Sequence, residues 1–393
     1  MLIDTSASLR NPELGYYQVG STIHTGKAMA LIDGTNRNIH PEWKFNNEVF
    51  DHFNWKVEPT ETLSKLYRQR AVELREKYDY LILSYSAGSD SQVILDTCLK
   101  YNIKIDELIV MHPLSFENVY TPSDQNYNIE NVLSEWDFNV KPRLQWLAVH
   151  RPEIKVTVYD WGTEIEGHKI ADDYVLDRNH NISPYYDQRC GIWTSPAIQE
   201  KLEKFDRVGV IVGIDKPRIC WHENSYKLYF MDLLTAGFGP QNSSKLRSQG
   251  KLQVEFFYWH PDCAKMIAKQ AHMLVKFFES VPAFKTYITW PVQNPNHRAW
   301  YDASVRAIIY PELDLNFFQA NKMNNMTIGY DQLLFKIGKK DKVMGIVKDN
   351  VTYLQSVIDK KYFNQINGIP TMVGFITGMY TIKSPADLLQ NQI

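Results

Sequence analysis

Tyr80-Leu-Ile-Leu-Ser84-Tyr-Ser86-Ala87-Gly88-Ser89-Asp90-Ser91-Gln-Val-Ile-Leu95 is the stretch that decides how this chain is read. The apolar run Leu81-Ile-Leu suits a strand covered on both faces. A short loop of small residues follows, and a helix over Ser91–Lys100 opens directly after it. The same alternation continues outward. Leu63, Leu66, Tyr67, Ala71, Leu74 and Tyr78 recur at three- and four-residue steps, which predicts a preceding helix capped by Thr60. Strands are expected at Leu108–Met111, Ile154–Tyr159 and Val208–Ile214. Helices are expected over Ile129–Val149, in most of its length, and Ala197–Phe205. Alternation of this kind predicts an α/β fold, a doubly wound and mostly parallel sheet, over residues 61–235.

The flanks read differently. Residues 1–60 hold short strand-like pieces, Tyr16–Val19 and Ala28–Ile32, and the aromatics Trp43, Phe45, Phe50, Phe53 and Trp55. That segment is expected to be β-rich and to pack onto the larger body. Residues 236–393, with helical patterns at Cys263–Val281 and Lys342–Ile358, read as a mainly helical C-terminal region that covers the site.

Composition narrows the function. Lys and Arg number 43 against 45 Asp and Glu, a net charge of −2, so bulk attraction to polyanions is excluded and nucleic acid enters only as a candidate substrate. Cys98, Cys190, Cys220 and Cys263 are scattered without a C-x-x-C pair. No iron–sulfur cluster is expected, and a reducing compartment is. The start shows no basic and then apolar leader, and no apolar run approaches a membrane span, so a cytoplasmic protein is expected. Aromatics make up 13% of the chain. Core packing is the first explanation for them.

The loop carries the chemistry. A strand that runs through a small-residue loop into a helix presents helical N–H groups at the sheet's carboxyl edge, where anions bind. Gly88 allows close backbone approach, and Ser86, Ser89 and Ser91 offer hydroxyl donors. Asp90 would repel bare phosphate, so its presence points to Mg²⁺. A surface turn capped by Asp or Ser is the plain alternative. At the fourth strand's end, Gly213-Ile-Asp-Lys216-Pro-Arg218 supplies cations that could offset charge on a leaving phosphate. Cys220-x-His222 with His260-x-x-Cys263 offers zinc ligands at no finger spacing, and zinc is not expected. Lys265, Lys269, His272 and Lys276 read as a solvated helical face, with an anion-binding face as the alternative.

Ser86-Ala-Gly-Ser-Asp-Ser91 resembles the Ser-Gly-Gly-x-Asp-Ser signature of the PP-loop, or N-type ATP pyrophosphatase, superfamily, with Ala87 in place of the first Gly. The chain is similar to its PAPS-reductase-like and asparagine-synthetase-like branch and to phage or bacterial members in layout. The compartment would then be the host cytoplasm for a viral protein. The resemblance implies an adenine nucleotide alpha hydrolase-like fold that binds ATP with Mg²⁺. Ser84, Ser86, Ala87, Gly88, Ser89, Asp90, Ser91 and Gly213 would line the phosphates, and His112 would lie beside the adenine. Asp90, Lys216 and Arg218 would act catalytically. Arg189, Cys190 and Trp193 would meet the substrate, an acceptor that stays open. The expected reaction is adenylation of a substrate oxygen, followed by attack of an amine or sulfur nucleophile. A sulfonucleotide or sulfur-transfer protein using Cys190, and a nucleotide-binding module without turnover, are the alternatives.

Overall fold

The computed structural model describes residues 15–24, 26–112, 114, 136–160, 195–214, 216–232, 250–291, 297–311, 313, 349, 352–366 and 369–384. In chain order the elements begin with β1 (Tyr16–Val19), β2 (Thr22–His24), α1 (Lys27–Arg37), β3 (Glu42–Lys44) and α2 (Asn47–Phe50). Then come α3 (Leu63–Lys77), β4 (Tyr80–Ser84), α4 (Ser89–Lys100), β5 (Glu107–His112), α5 (Lys141–His150) and β6 (Lys155–Asp160). α6 (Pro196–Lys204), β7 (Val208–Val212), the hairpin β8 (Arg218–His222) and β9 (Ser225–Tyr229), and β10 (Leu252–Phe256) follow. The last are α7 (Ala264–Ser280), α8 (Ala283–Tyr287), α9 (His297–Ile309), β11 (Phe363–Ile366), β12 (Ile369–Met372) and β13 (Tyr380–Lys383).

The fold is α/β. Five parallel strands form the central sheet in the order β10-β7-β4-β5-β6. β7, β4 and β5 are the interior strands, and all three bury their apolar runs as expected for strands covered on both faces. Gly209 in β7 is needed for packing, because a Cβ there would lie 2.4 Å from the Tyr78 ring.

Several expectations change. Ala28–Ile32 is not a strand but the first part of α1. Ala-Met-Ala-Leu-Ile has no alternation, and Ala, Met and Leu are strong helix formers. α3 is capped by Thr62, whose hydroxyl accepts from Lys65 N at 3.3 Å, rather than by Thr60. Thr62 directly precedes Leu63, the first apolar residue of the helical repeat. The region after 235 is mixed among the described residues. It holds α7, α8 and α9, but also β10 inside the parallel sheet and β13, which pairs with β9. A boundary at 235 therefore cuts the sheet.

The N-terminal segment does pack onto the body, through aromatic rings. Phe50 stacks on Phe230 at 4.8 Å, Phe45 lies 5.9 Å from Trp259, and Trp55 lies 5.4 Å from Tyr380. All six rings are buried. Part of the aromatic content thus forms the joint between segments distant in sequence. No described helix is long and apolar enough to cross a membrane.

The cationic face of α7 serves the same joint. Glu58 takes Lys269 at 2.8 Å and Lys276 at 2.6 Å, Lys265 lies 3.8 Å from Glu61, and His272 Nε2 is 3.0 Å from the Trp55 carbonyl. Burial holds the His272 imidazole below its ordinary value. The unfolded chain therefore takes up that proton first, and stability falls as pH drops through about 6.5. Burial alone would raise the Glu58 carboxyl, but hydrogen bonds from Lys269 and Lys276 outweigh it and hold it low, so its contribution is lost only at more acid pH. Thermal melts between about pH 7.5 and 5.5 should show falling stability, with a flatter slope in His272→Gln. Equal slopes would remove His272 from this role.

Candidate phosphate-binding site

Strand order reverses beside β4, because its chain successor β5 lies on one side and the later β7 on the other. In open parallel sheets the crevice at such a reversal is where ligands bind, at the strands' carboxyl ends. The loop after β4 stands there. Ser84 ends the strand half-buried, and Gly88 is the N-cap of α4 in extended backbone.

The loop is tied by its own hydroxyls. Ser86 N donates to Ser91 Oγ at 3.2 Å, Ser91 Oγ donates to Gly88 O at 3.2 Å, and Gly88 N donates to Ser86 Oγ at 3.3 Å. Ser89 and Ser91 are buried. Two of the expected phosphate donors, Ser86 and Ser91, thus also shape the loop. Ala87 has φ +52°, the left-handed region that favours glycine. That explains why a Gly-Gly pair suits this loop, and the loop keeps the turn with Ala at a cost of about 1 kcal/mol.

Gly213, just past β7, is the counterpart. A Cβ there would meet Ser91 N at 3.0 Å and the Asp90 carbonyl carbon and Cβ at 3.1 Å. Glycine at 213 lets the end of β7 lie directly against the first turn of α4. Gly213→Ala should push that turn by a few tenths of an ångström with the fold retained, and if the loop is a phosphate site it should weaken pyrophosphate binding by about tenfold. Titration calorimetry with circular dichroism checks this, and undiminished affinity would detach Gly213 from the site.

Lys216 and Asp90 are brought together as an ion pair. Lys216 Nζ lies 2.7 Å from one carboxylate oxygen and 2.8 Å from the other. The lysine side chain is 7% exposed and that of Asp90 23%. Burial alone would raise the Asp90 carboxyl. The Lys216 ammonium, helped by the Tyr310 hydroxyl and the Arg306 charge, outweighs it and holds the carboxyl below its ordinary value.

The sequence did not show that Tyr310 and Tyr258 meet Asp90. Tyr310 OH donates to Asp90 Oδ1, and Tyr258 OH donates to the Asp90 carbonyl at 2.9 Å. Their rings lie 5.6 Å apart, and both phenols are pushed up, first by burial and then by the neighbouring Asp90 charge or another tyrosine. Both residues come from beyond the residues that read as the nucleotide domain. No motif marks them.

The other expected residues divide. His112 ends β5 at the same edge of the sheet, buried against Trp136 at 5.7 Å. Arg218 opens β8, with its guanidinium 5.9 Å from the Tyr301 ring centre, so the two expected cations point to different partners. Arg189, Cys190 and Trp193 lie outside the described residues.

The thiols and imidazoles weighed for zinc have other neighbours. Cys220 Sγ sits 4.0 Å from Met379 Sδ, and His260 Nε2 is 3.4 Å from Glu255. Burial pushes the Cys220 and Cys263 thiols up to about 12. Among the described residues no group of three or more His, Cys, Asp and Glu could hold a metal ion. A magnesium ion that arrives on a polyphosphate needs less, since it commonly takes one or two carboxylates and keeps phosphate and water ligands. Asp90, part-exposed in the first turn of α4, fits that requirement once Lys216 yields an oxygen.

No protein-family model matches the chain, and no curated protein matches it.

Proposed function

We propose that this chain is an ATP-dependent adenylating enzyme of the PP-loop type. One observation carries the reading: a serine-tied loop opens α4 at the reversal of strand order, with Gly213 and Lys216 packed against its first turn. An anion at this point meets the partial positive charge of the helix N-terminus and the buried ammonium. A doubly wound arrangement belongs to the same proposal. Right-handed crossovers put the β4–β5–β6 connections on one face and those leading back to β7 and β10 on the other.

In this reading the α4 N-terminus and the loop at Ser86, Ala87, Gly88, Ser89 and Ser91 hold the β- and γ-phosphates, with Ser84 and Gly213 beside them. The adenine lies toward His112. A substrate oxygen attacks the α-phosphorus, the α–β bond breaks, and pyrophosphate leaves while the substrate becomes its adenylate. Lys216 stabilises the charge that builds on the departing pyrophosphate, and Arg218 supplies a second cation at that edge. Magnesium bound to the nucleotide would offset polyphosphate charge, with Asp90 as the protein carboxylate toward it. An amine or sulfur nucleophile then displaces AMP. Arg189, Cys190 and Trp193 are proposed on the acceptor side, and the reducing cytoplasm suits the free thiols of Cys98, Cys220 and Cys263.

The test is magnesium-dependent release of pyrophosphate from α-labelled ATP, run against a panel of carboxylate, amide and nucleobase acceptors. Stimulated release with an adenylate trapped on one acceptor is the expected result. ATP binding without turnover on any acceptor would favour a binding module. Turnover lost in Cys190→Ser while adenylation persists would favour sulfur transfer.

A further inference from the structure

We infer that Asp90 holds Lys216 in reserve, and that an incoming polyphosphate takes the ammonium over, leaving Asp90 to the divalent cation that accompanies it. The inference rests on the phosphate reading of the loop. Both carboxylate oxygens of Asp90 lie within 2.8 Å of Lys216 Nζ. The pair stands at the first turn of α4, where the helix field favours negative charge. Without a ligand, the Asp90 carboxylate therefore occupies by its charge the region a phosphate would use.

The carboxylate is also pinned from outside its own helix. Tyr310 donates to Oδ1, Tyr258 donates to the carbonyl of the same residue, and the Arg306 charge acts on the carboxylate from α9. When the ammonium leaves, the Tyr310 hydroxyl still donates to Asp90 and the Arg306 charge still acts on it. That keeps the carboxylate ionised and in position for a cation. A bare anion must separate a close ion pair to reach Lys216. An anion that carries a divalent cation supplies a replacement partner for Asp90 in the same event. No covalent bond changes in the exchange, and no group needs to change protonation.

This predicts effects of opposite sign. Titration calorimetry of the full chain with sodium pyrophosphate, in chelator and free of divalent metal, is the measurement. Asp90→Asn should bind metal-free pyrophosphate roughly tenfold more tightly than wild type, because the Asp90 charge no longer competes for Lys216. The same variant should gain nothing from added Mg²⁺, whereas wild-type affinity should rise with it. Tyr310→Phe removes a neutral donor from the carboxylate, which then depends more on Lys216, and metal-free affinity should fall roughly threefold.

A simple structural role for both residues would weaken binding in both variants. Weaker metal-free binding by Asp90→Asn, with wild-type binding intact, overturns the exchange and leaves the phosphate reading standing. If that variant does not fold, unchanged or tighter metal-free binding by Tyr310→Phe overturns it equally. Absence of pyrophosphate binding by wild type, with and without Mg²⁺, overturns the phosphate reading itself.

Discussion

On the proposed reaction, Lys216→Met should lower magnesium-dependent pyrophosphate release by about a hundredfold or more, since it removes a preorganised cation from the site where charge would develop. The ammonium is buried and fixed by two contacts of 2.7 and 2.8 Å, so little reorganisation is needed when it acts on a phosphate. Methionine keeps the length of the side chain and removes the charge. Asp90 then loses its ion-pair partner but keeps the Tyr310 hydroxyl and the Arg306 charge. Its side chain is 23% exposed, so water compensates in part. The stability cost should stay near 1–3 kcal/mol, below the range for fully buried pairs that lose one partner. Release assays with thermal melts separate the two effects. A variant that melts like wild type and turns over at the wild-type rate would take Lys216 out of the mechanism.

Asp232→Asn should be strongly destabilising, at about 3–5 kcal/mol, because it leaves a buried ammonium without its counter-charge. Lys27 Nζ lies 2.6 Å from Asp232 Oδ2, and neither side chain has any exposure. Asp232 also accepts from Tyr17 OH at 2.7 Å and from Phe375 N at 3.0 Å, and Lys27 donates to the Val373 carbonyl at 2.8 Å. One ion pair thus fastens the start of α1 and β1 to the chain after β9 and to the residues before β13. Burial lowers the Lys27 ammonium from its ordinary value, while Asp232 pulls it back. Removing the carboxylate leaves the first effect unopposed. Thermal unfolding should shift down by roughly 4–6 °C. The double variant Lys27→Met with Asp232→Leu should recover part of that loss, as apolar replacement of a buried pair often does. A single-variant cost under about 1 kcal/mol would show that the pair contributes little.

The strand–loop–helix reading at residues 80–100 was legible because each of its signals is local. Leu81-Ile-Leu is apolar on both faces, the loop residues are small, and the helix begins within two residues of the position read. β5, β6, α6 and β7 were readable for the same reason, each to within one or two residues. Errors arose where the local signal was shared. Ala28–Ile32 fits a buried strand or a helix equally by periodicity, and α1 is settled by its packing against β1 and β2. β10 was missed although Leu252-Gln-Val-Glu-Phe256 alternates apolar and polar residues as a strand does. What the local pattern does not show is the burial of Glu255, which Arg70 at 2.9 Å, Lys77 at 2.7 Å and the Tyr78 hydroxyl make possible. Those partners lie far away in the chain.

By itself, the sequence determined a parallel α/β sheet and a small-residue loop poised at the start of a helix, because backbone sterics and hydrophobic periodicity act over a few residues. Tertiary structure alone decided what faces Asp90. Tyr310 stands 220 residues away in the chain and Lys216 126 residues away, and both meet it because β7 pairs beside β4 and the residue that follows α9 reaches the first turn of α4. Charge, hydrogen bonding and burial at this site come from neighbours in space, and no local pattern records them.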